Sequence, residues 1–84
     1  MLMSKEQLTS LVLTILHTIA PEADLDHLDP HISYRDQFAF DSVDYLQFVM
    51  ALEEALHLTI VESDYPQLST LHGCVAYLMP RLAP

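Results

Sequence analysis

Between Ser42 and Leu56 the chain carries apolar residues on two stripes at helical spacing, and no other feature restricts its fold so tightly. Tyr45, Phe48, Val49, Leu52 and Leu56 recur every three or four residues, the period of an amphipathic helix. Val43, Leu46 and Met50 make a second stripe on another face. A helix apolar on two faces is either buried all round or lends one face to a partner. A chain of 84 residues has too small an interior to enclose such a helix easily. The first stripe is therefore assigned to the core. The second is a candidate contact surface, rimmed by Asp44, Gln47 and Glu54.

The flanking segments carry the same helical signal. Leu8, Leu11, Val12, Ile15, Leu16 and Ile19 predict an amphipathic helix from about Ser4 to Ile19. Ser4 followed by Gln7 reads as a capping box, and Pro21 ends the helix near Ala20. The stretch from Pro21 to Asp41 is a long connection in which Asp24, Asp26, Asp29 and Pro30 favour turns. Leu25, Leu28, Ile32, Tyr34, Phe38 and Phe40 make it too apolar for a free linker, so these side chains are expected to tuck over the helices. Beyond His57, the β-branched run Thr59-Ile60-Val61 reads as extended. Asp64 to Leu68 reads as one short helical turn, with Pro66 tolerated only near its start. Ser69 or Thr70 then caps a final helix that points Leu71, Val75, Leu78 and Leu82 inward, with Pro80 fraying its end. Gly73 is the only glycine, which disfavours hairpin turns and hence a sheet. The expected fold is all-α and a single domain over residues 1–84: three main helices, one short helix and a long packed loop after the first helix.

Charge and cysteine usage narrow the function classes. Three basic residues against twelve acidic ones give a formal charge of −9. Binding to a phosphate backbone depends on Lys and Arg, so nucleic acid is an unsuitable partner, and an anionic membrane equally so. Basic protein partners are favoured. From Asp36 to Pro80 there are seven acids and no Lys or Arg. Cys74 has no second cysteine to pair with, fits a small core position, and points to a reducing compartment. Leu11 to Ala20 is apolar enough for a signal-peptide core. However, Glu6 and Gln7 precede it, Lys5 is its only nearby cation, and no clean cleavage site follows. No run is long enough to span a bilayer, and the working expectation is a cytoplasmic monomer.

Catalytic and metal chemistry find little support. Asp24, Asp26 and Asp29 hint at a calcium loop, but the sixth-position glycine is missing and Arg35 stands where a bidentate Glu is needed. The histidines at 17, 27, 31, 57 and 72 show no ligand spacing tied to cysteine. No G-x-S-x-G elbow surrounds Ser42 and no base can be placed beside it. Ser42 has two readings. It is a plain helix-starting residue, since Asp and Ser both cap well. Alternatively, its hydroxyl holds a phosphate ester beside the unpaired N–H groups and positive dipole end of the helix, an environment worth ~0.3–1 kcal/mol to an anion. Asp41 and Asp44 would repel such a group, leaving an exposed and recognisable site with little net electrostatic gain.

The run around Asp41-Ser42 resembles the acyl carrier protein family, in which Asp-Ser-Leu precedes an acidic, Met-containing helix. The similarity extends without a gap from about Tyr34 to Leu78. It passes through Arg35-Asp36, Phe38, Asp41-Ser42, Asp44, the segment Val49-Met50-Ala51-Leu52-Glu53-Glu54, Ile60 and Leu71. The first helix fits more loosely. The resemblance implies a four-helix bundle that is no enzyme. It implies that 4′-phosphopantetheine, transferred from coenzyme A by a phosphopantetheinyl transferase, is attached at Ser42 beside Asp41. Acyl intermediates would ride on that arm as thioesters between acyl-loading and acyl-using enzymes with basic docking patches. It further implies partner recognition by Val43, Asp44, Leu46, Gln47, Met50 and Glu54, and an acyl pocket among Tyr45, Phe48, Leu52, Ile60, Tyr65 and Leu68.

Several residues depart from the family pattern. Val43 replaces the usual Leu, Ala39 a common Gly, and Gln47 a frequent Glu. Tyr45 and Tyr65 stand where fatty-acid carriers have small residues, so inward-pointing rings would narrow the pocket and favour short or polar acyl groups. Fatty-acid or specialised acyl biosynthesis is the expected setting. An aminoacyl or polyketide carrier of a dedicated pathway and a helical interaction module without a prosthetic group are the competing readings.

Overall fold

A computed structural model describes residues 3–82. Helix α1 spans Lys5–Ile19, α2 spans Ser42–Leu56 and α3 spans Leu71–Leu82, with a seven-residue 3-10 helix over Glu62–Leu68 before α3. No strand forms among the described residues. This is the all-α bundle of three main helices and one short one that the apolar periodicities predict. α1 packs against α2 and α3, and α3 packs against the 3-10 helix.

Local chemistry explains the helix ends. Ser4 accepts from the Gln7 N–H at 3.0 Å, and the Gln7 side chain accepts from the Ser4 N–H at 2.9 Å. This reciprocal box starts α1 one residue after Ser4. Of the two candidate caps for α3, the Thr70 hydroxyl accepts from the Gly73 N–H at 2.9 Å. The Ser69 hydroxyl instead donates to the Pro66 carbonyl. α2 ends at His57, which adopts a left-handed conformation with φ 54° and ψ 46°. Histidine tolerates this region better than most residues, at a cost of about 1 kcal/mol relative to glycine. The turn is held because the Leu58 N–H reaches the Glu53 carbonyl and the Ile60 N–H reaches the Glu53 carboxylate.

The core consists of Leu8, Val12 and Leu16 from α1, Phe48, Val49 and Leu52 from α2, Ile60 and Leu68 from the following segment, and Cys74, Val75, Tyr77 and Leu78 from α3. The long connection supplies Ala20, Tyr34 and Phe40. It is structured by two single 3-10 turns, Leu25–His27 and Tyr34–Asp36. The Gln37 side chain staples it, donating to the Asp29 and Ile32 carbonyls at 2.8 and 2.7 Å and accepting from the Asp29 N–H at 2.7 Å. Backbone bonds from Tyr34 N–H to the Ser69 carbonyl and from His72 N–H to the Pro30 carbonyl fasten it to the α3 side.

Three expectations are corrected. Ile32 is exposed and does not tuck over the helices. The short helix begins at Glu62, so Pro66 lies toward its end and not near its start. α3 continues through Pro80 to Leu82. Both prolines are tolerated for one reason: the carbonyls they leave unbonded belong to the exposed residues Ser63 and Ala76, where water can satisfy them. At Pro80 the Arg81 side chain adds a bond to the Tyr77 carbonyl at 2.7 Å.

Gly73 sits in the first turns of α3, close against the 3-10 helix. A Cβ there would lie 2.7 Å from the Gln67 carbonyl oxygen and 2.9 Å from the Thr70 hydroxyl that caps α3. Overpacking of this kind costs ~1–3 kcal/mol, against a helix-propensity gain of ~1 kcal/mol. Gly73→Ala is therefore expected to lower the unfolding free energy by about 1 kcal/mol or more in urea titrations, although alanine is the better helix former.

Candidate functional site

The start of α2 rests on an aromatic cluster. Tyr34, Phe38 and Phe40 from the connection meet Tyr45 and Phe48 from α2, with edge-on contacts at 5.3 Å for Tyr34–Phe48 and 5.8 Å for Tyr34–Phe40. Phe38–Phe40 and Phe40–Phe48 cross edge-on at 5.4 and 6.2 Å. Each such pair contributes ~0.5–1.5 kcal/mol beyond its buried area. The first turn of α2 is thereby anchored from below.

Above this floor Asp41 is the N-cap. Its carboxylate accepts from the Asp44 N–H at 2.8 Å, and the Asp44 carboxylate accepts from the Asp41 N–H at 3.2 Å. The cap belongs to Asp41, so Ser42 has no capping duty. Ser42 is the first helical residue, it is exposed, and its hydroxyl makes no hydrogen bond among the described residues. The capping bonds are made by Asp41, and Ser42 stands as the first residue of the helix.

A cavity of about 370 Å³ opens beside Ser42, lined by Ser33, Tyr34, Arg35, Phe40, Asp41, Ser42, Tyr45, Tyr65, Pro66 and Ser69. Of the six residues expected to form an acyl pocket, Tyr45 and Tyr65 line this cavity. Phe48, Leu52, Ile60 and Leu68 lie in the packed core outside its lining. The Tyr45 hydroxyl donates to the Tyr65 carbonyl, tying α2 to the 3-10 helix. Ser33, Tyr34, Arg35, Phe40 and Ser69 are additions that helical periodicity could not supply. They come from the connection and from the end of the 3-10 helix, and only the tertiary fold brings them to Ser42. Arg35 is exposed and makes no ion pair among the described residues.

The outer face of α2 carries the second apolar stripe in the open: Val43 is 62%, Leu46 48% and Met50 57% exposed. Gln47 and Glu54 are exposed beside it, whereas Asp44 is partly covered and engaged in the cap. Glu53, next to Glu54, serves the end of its own helix through the bond from the Ile60 N–H.

Residues 6–78 match the family model described as "Phosphopantetheine attachment site". The chain belongs to this family. A relative, the acyl carrier protein of Exiguobacterium sp. (strain ATCC BAA-1283 / AT1b), is 28% identical over 82 residues, which are 95% of this chain and 100% of the relative. Membership makes the chain a carrier protein with covalent 4′-phosphopantetheine as its prosthetic group, a substrate of a phosphopantetheinyl transferase. A free, solvent-facing hydroxyl on an anchored helix turn, with a cavity beside it, fits such a group. No helix among the described residues is long and apolar enough to cross a membrane, and none of them cluster as a metal site.

Three buried or half-buried acids under the site hold their protons tightly. Burial pushes the Cys74 thiol up to about 12, partly offset by the Tyr34 hydroxyl beside it. Burial, with the nearby thiol, pushes Tyr45 up to about 12, and burial raises Tyr34 further. In the unfolded chain these groups ionise from about pH 9 to 10. Between that range and about pH 12 the native state therefore binds more protons than the unfolded state, and stability falls as pH rises. Urea midpoints are expected to decline progressively above about pH 9, with the onset delayed in Cys74→Ala.

Proposed function

We propose that 4′-phosphopantetheine is attached at Ser42 and that the chain carries acyl intermediates to partner enzymes of fatty-acid or specialised acyl biosynthesis. The observation that carries this reading is the division of roles at α2: Asp41 caps the helix, and the Ser42 hydroxyl is left exposed and unbonded. When bound, the group supplies a terminal thiol on a flexible arm, on which acyl groups are held as thioesters. The chain's own residues supply position. The Asp41–Asp44 box and the aromatic floor fix the attachment oxygen at one place on the surface. No base is bonded to that oxygen, so the transferase removes its proton. Tethering then raises the effective concentration of the carried group at each docked enzyme.

Docking falls to the exposed stripe of Val43, Leu46 and Met50 with Asp44, Gln47 and Glu54 around it. Basic patches on partners complement this face, and their binding weakens as salt rises. Tyr45 and Tyr65 form walls of the acyl pocket, with Phe48, Leu52, Ile60 and Leu68 as the apolar core behind them. Two tyrosines where small residues are usual narrow the cavity, which supports a short or polar cargo over a long alkyl chain, and the same feature keeps a polyketide or aminoacyl pathway as the second reading.

Incubation with coenzyme A and a broad-specificity phosphopantetheinyl transferase, followed by intact-mass analysis, tests the attachment. The expected result is one phosphopantetheine mass on the wild-type protein and none on Ser42→Ala. A folded wild-type protein that gains no mass, or a Ser42→Ala variant that still does, would contradict it.

A further inference from the structure

We propose that Arg35 is a positioning residue for the prosthetic arm, pairing its guanidinium with the phosphodiester at Ser42 and holding the root of the arm over the cavity. The proposal rests on Ser42 as the attachment point. Arg35 and Ser42 line the same cavity of about 370 Å³, and both are exposed. Arg35 is the only Lys or Arg in that lining, and it makes no ion pair among the described residues.

Local structure explains both facts. Arg35 sits in the single 3-10 turn Tyr34–Asp36. The Tyr34 ring is buried against Phe40 and Phe48, and the Tyr34 N–H is bonded to the Ser69 carbonyl at 3.0 Å. The backbone that carries Arg35 is thereby fixed beside the first turn of α2, while its side chain stays in water. The acids nearest in the chain are already bonded. Asp36 accepts from the Ser33 hydroxyl at 2.9 Å, and Asp41 accepts from the Asp44 N–H at 2.8 Å. Arg81, by contrast, is taken up by the Tyr77 carbonyl, the Tyr77 ring and the Asp64 carboxylate. Arg35 is therefore an unclaimed cation beside the attachment point, in a chain of twelve acidic residues and three Lys or Arg.

A phosphodiester on Ser42 adds one negative charge next to Asp41 and Asp44. A guanidinium offset against it supplies planar paired donors that match phosphate oxygens. The pair forms in contact with solvent, so neither ion is stripped of its water. Val43, Leu46 and Met50 are not part of the cavity lining. Pairing with Arg35 thus draws the root of the arm toward the connection and leaves the exposed stripe of α2 uncovered for partners.

The experiment uses the full chain before and after attachment of the arm. NMR of the Arg35 side-chain Nε–H group and of the phosphorus reads the pair directly. In dilute buffer the paired state is expected to outnumber the unpaired roughly 1.5- to 5-fold, the range for an exposed ion pair. Attachment should move the Arg35 Nε–H resonance, and the displacement should shrink at about 1 M salt, where the screening length is about 3 Å. Arg35→Gln should bring the phosphorus resonance toward that of the free diester, and Arg35→Lys should keep part of the displacement, because it retains charge without the fork. Lys5→Gln removes the same charge outside the cavity lining and should leave the phosphorus resonance at its wild-type position. An Arg35 resonance indifferent to attachment overturns the proposal without recourse to any variant. So does a phosphorus resonance that is the same in Arg35→Gln as in the wild type, or one that Lys5→Gln moves as far. A protein that never takes up the arm, as read by intact mass, would instead refute the attachment reading and take this proposal with it.

Discussion

The contact of Tyr34, Phe38 and Phe40 with Tyr45 and Phe48 is the interaction on which the rest of the molecule depends. It joins the long connection to the first two turns of α2 and so converts a loop of mixed composition into a fixed support. All three phenylalanines of the chain are used in it. Without this support the N-terminus of α2 would be a fraying helix end. With it, the Asp41–Asp44 box has a rigid frame to close, and the Ser42 hydroxyl is left without a hydrogen bond among the described residues.

The same economy separates support from display along α2. Phe48, Val49 and Leu52 are fully buried, while Val43, Leu46 and Met50 are exposed on the opposite side. Adjacent acids divide likewise: Glu53 closes the left-handed turn at His57, and Glu54 faces solvent. The acidic surface costs some self-repulsion, and its long-range field weakens as salt rises.

Much of this was legible in the sequence because it is encoded locally. Ser4 and Gln7 are three residues apart, and their capping box forms as read. The stripes at Leu8, Val12 and Leu16 and at Phe48, Val49 and Leu52 define one core because the helical period alone sets their side. Features that depend on meetings across the chain were not legible. Nothing near Gln37 in sequence marks it as the staple of Asp29 and Ile32, and nothing around His57 announces a left-handed residue where glycine is usual. The effect of Pro66 and Pro80 is not encoded locally, because it depends on whether the carbonyl each leaves free is wet, a property of the folded surface. Around Ser42, the start of α2 could be read from pattern. The cavity walls at Tyr34, Arg35 and Ser69 could not, since they reach Ser42 only through the path of the connection.

The central claim is that the Ser42 oxygen is displayed on a rigid first turn held by Asp41 and Asp44. Amide hydrogen exchange of Asp44 and Tyr45, followed by NMR in the native protein, tests it most directly. Their N–H groups are bonded to the Asp41 carboxylate at 2.8 Å and the Asp41 carbonyl at 2.9 Å. The account predicts protection approaching that of the middle of α2. Exchange of both amides at the rate of an unstructured peptide would contradict it, because the hydroxyl would then sit on a frayed end with no fixed place to offer.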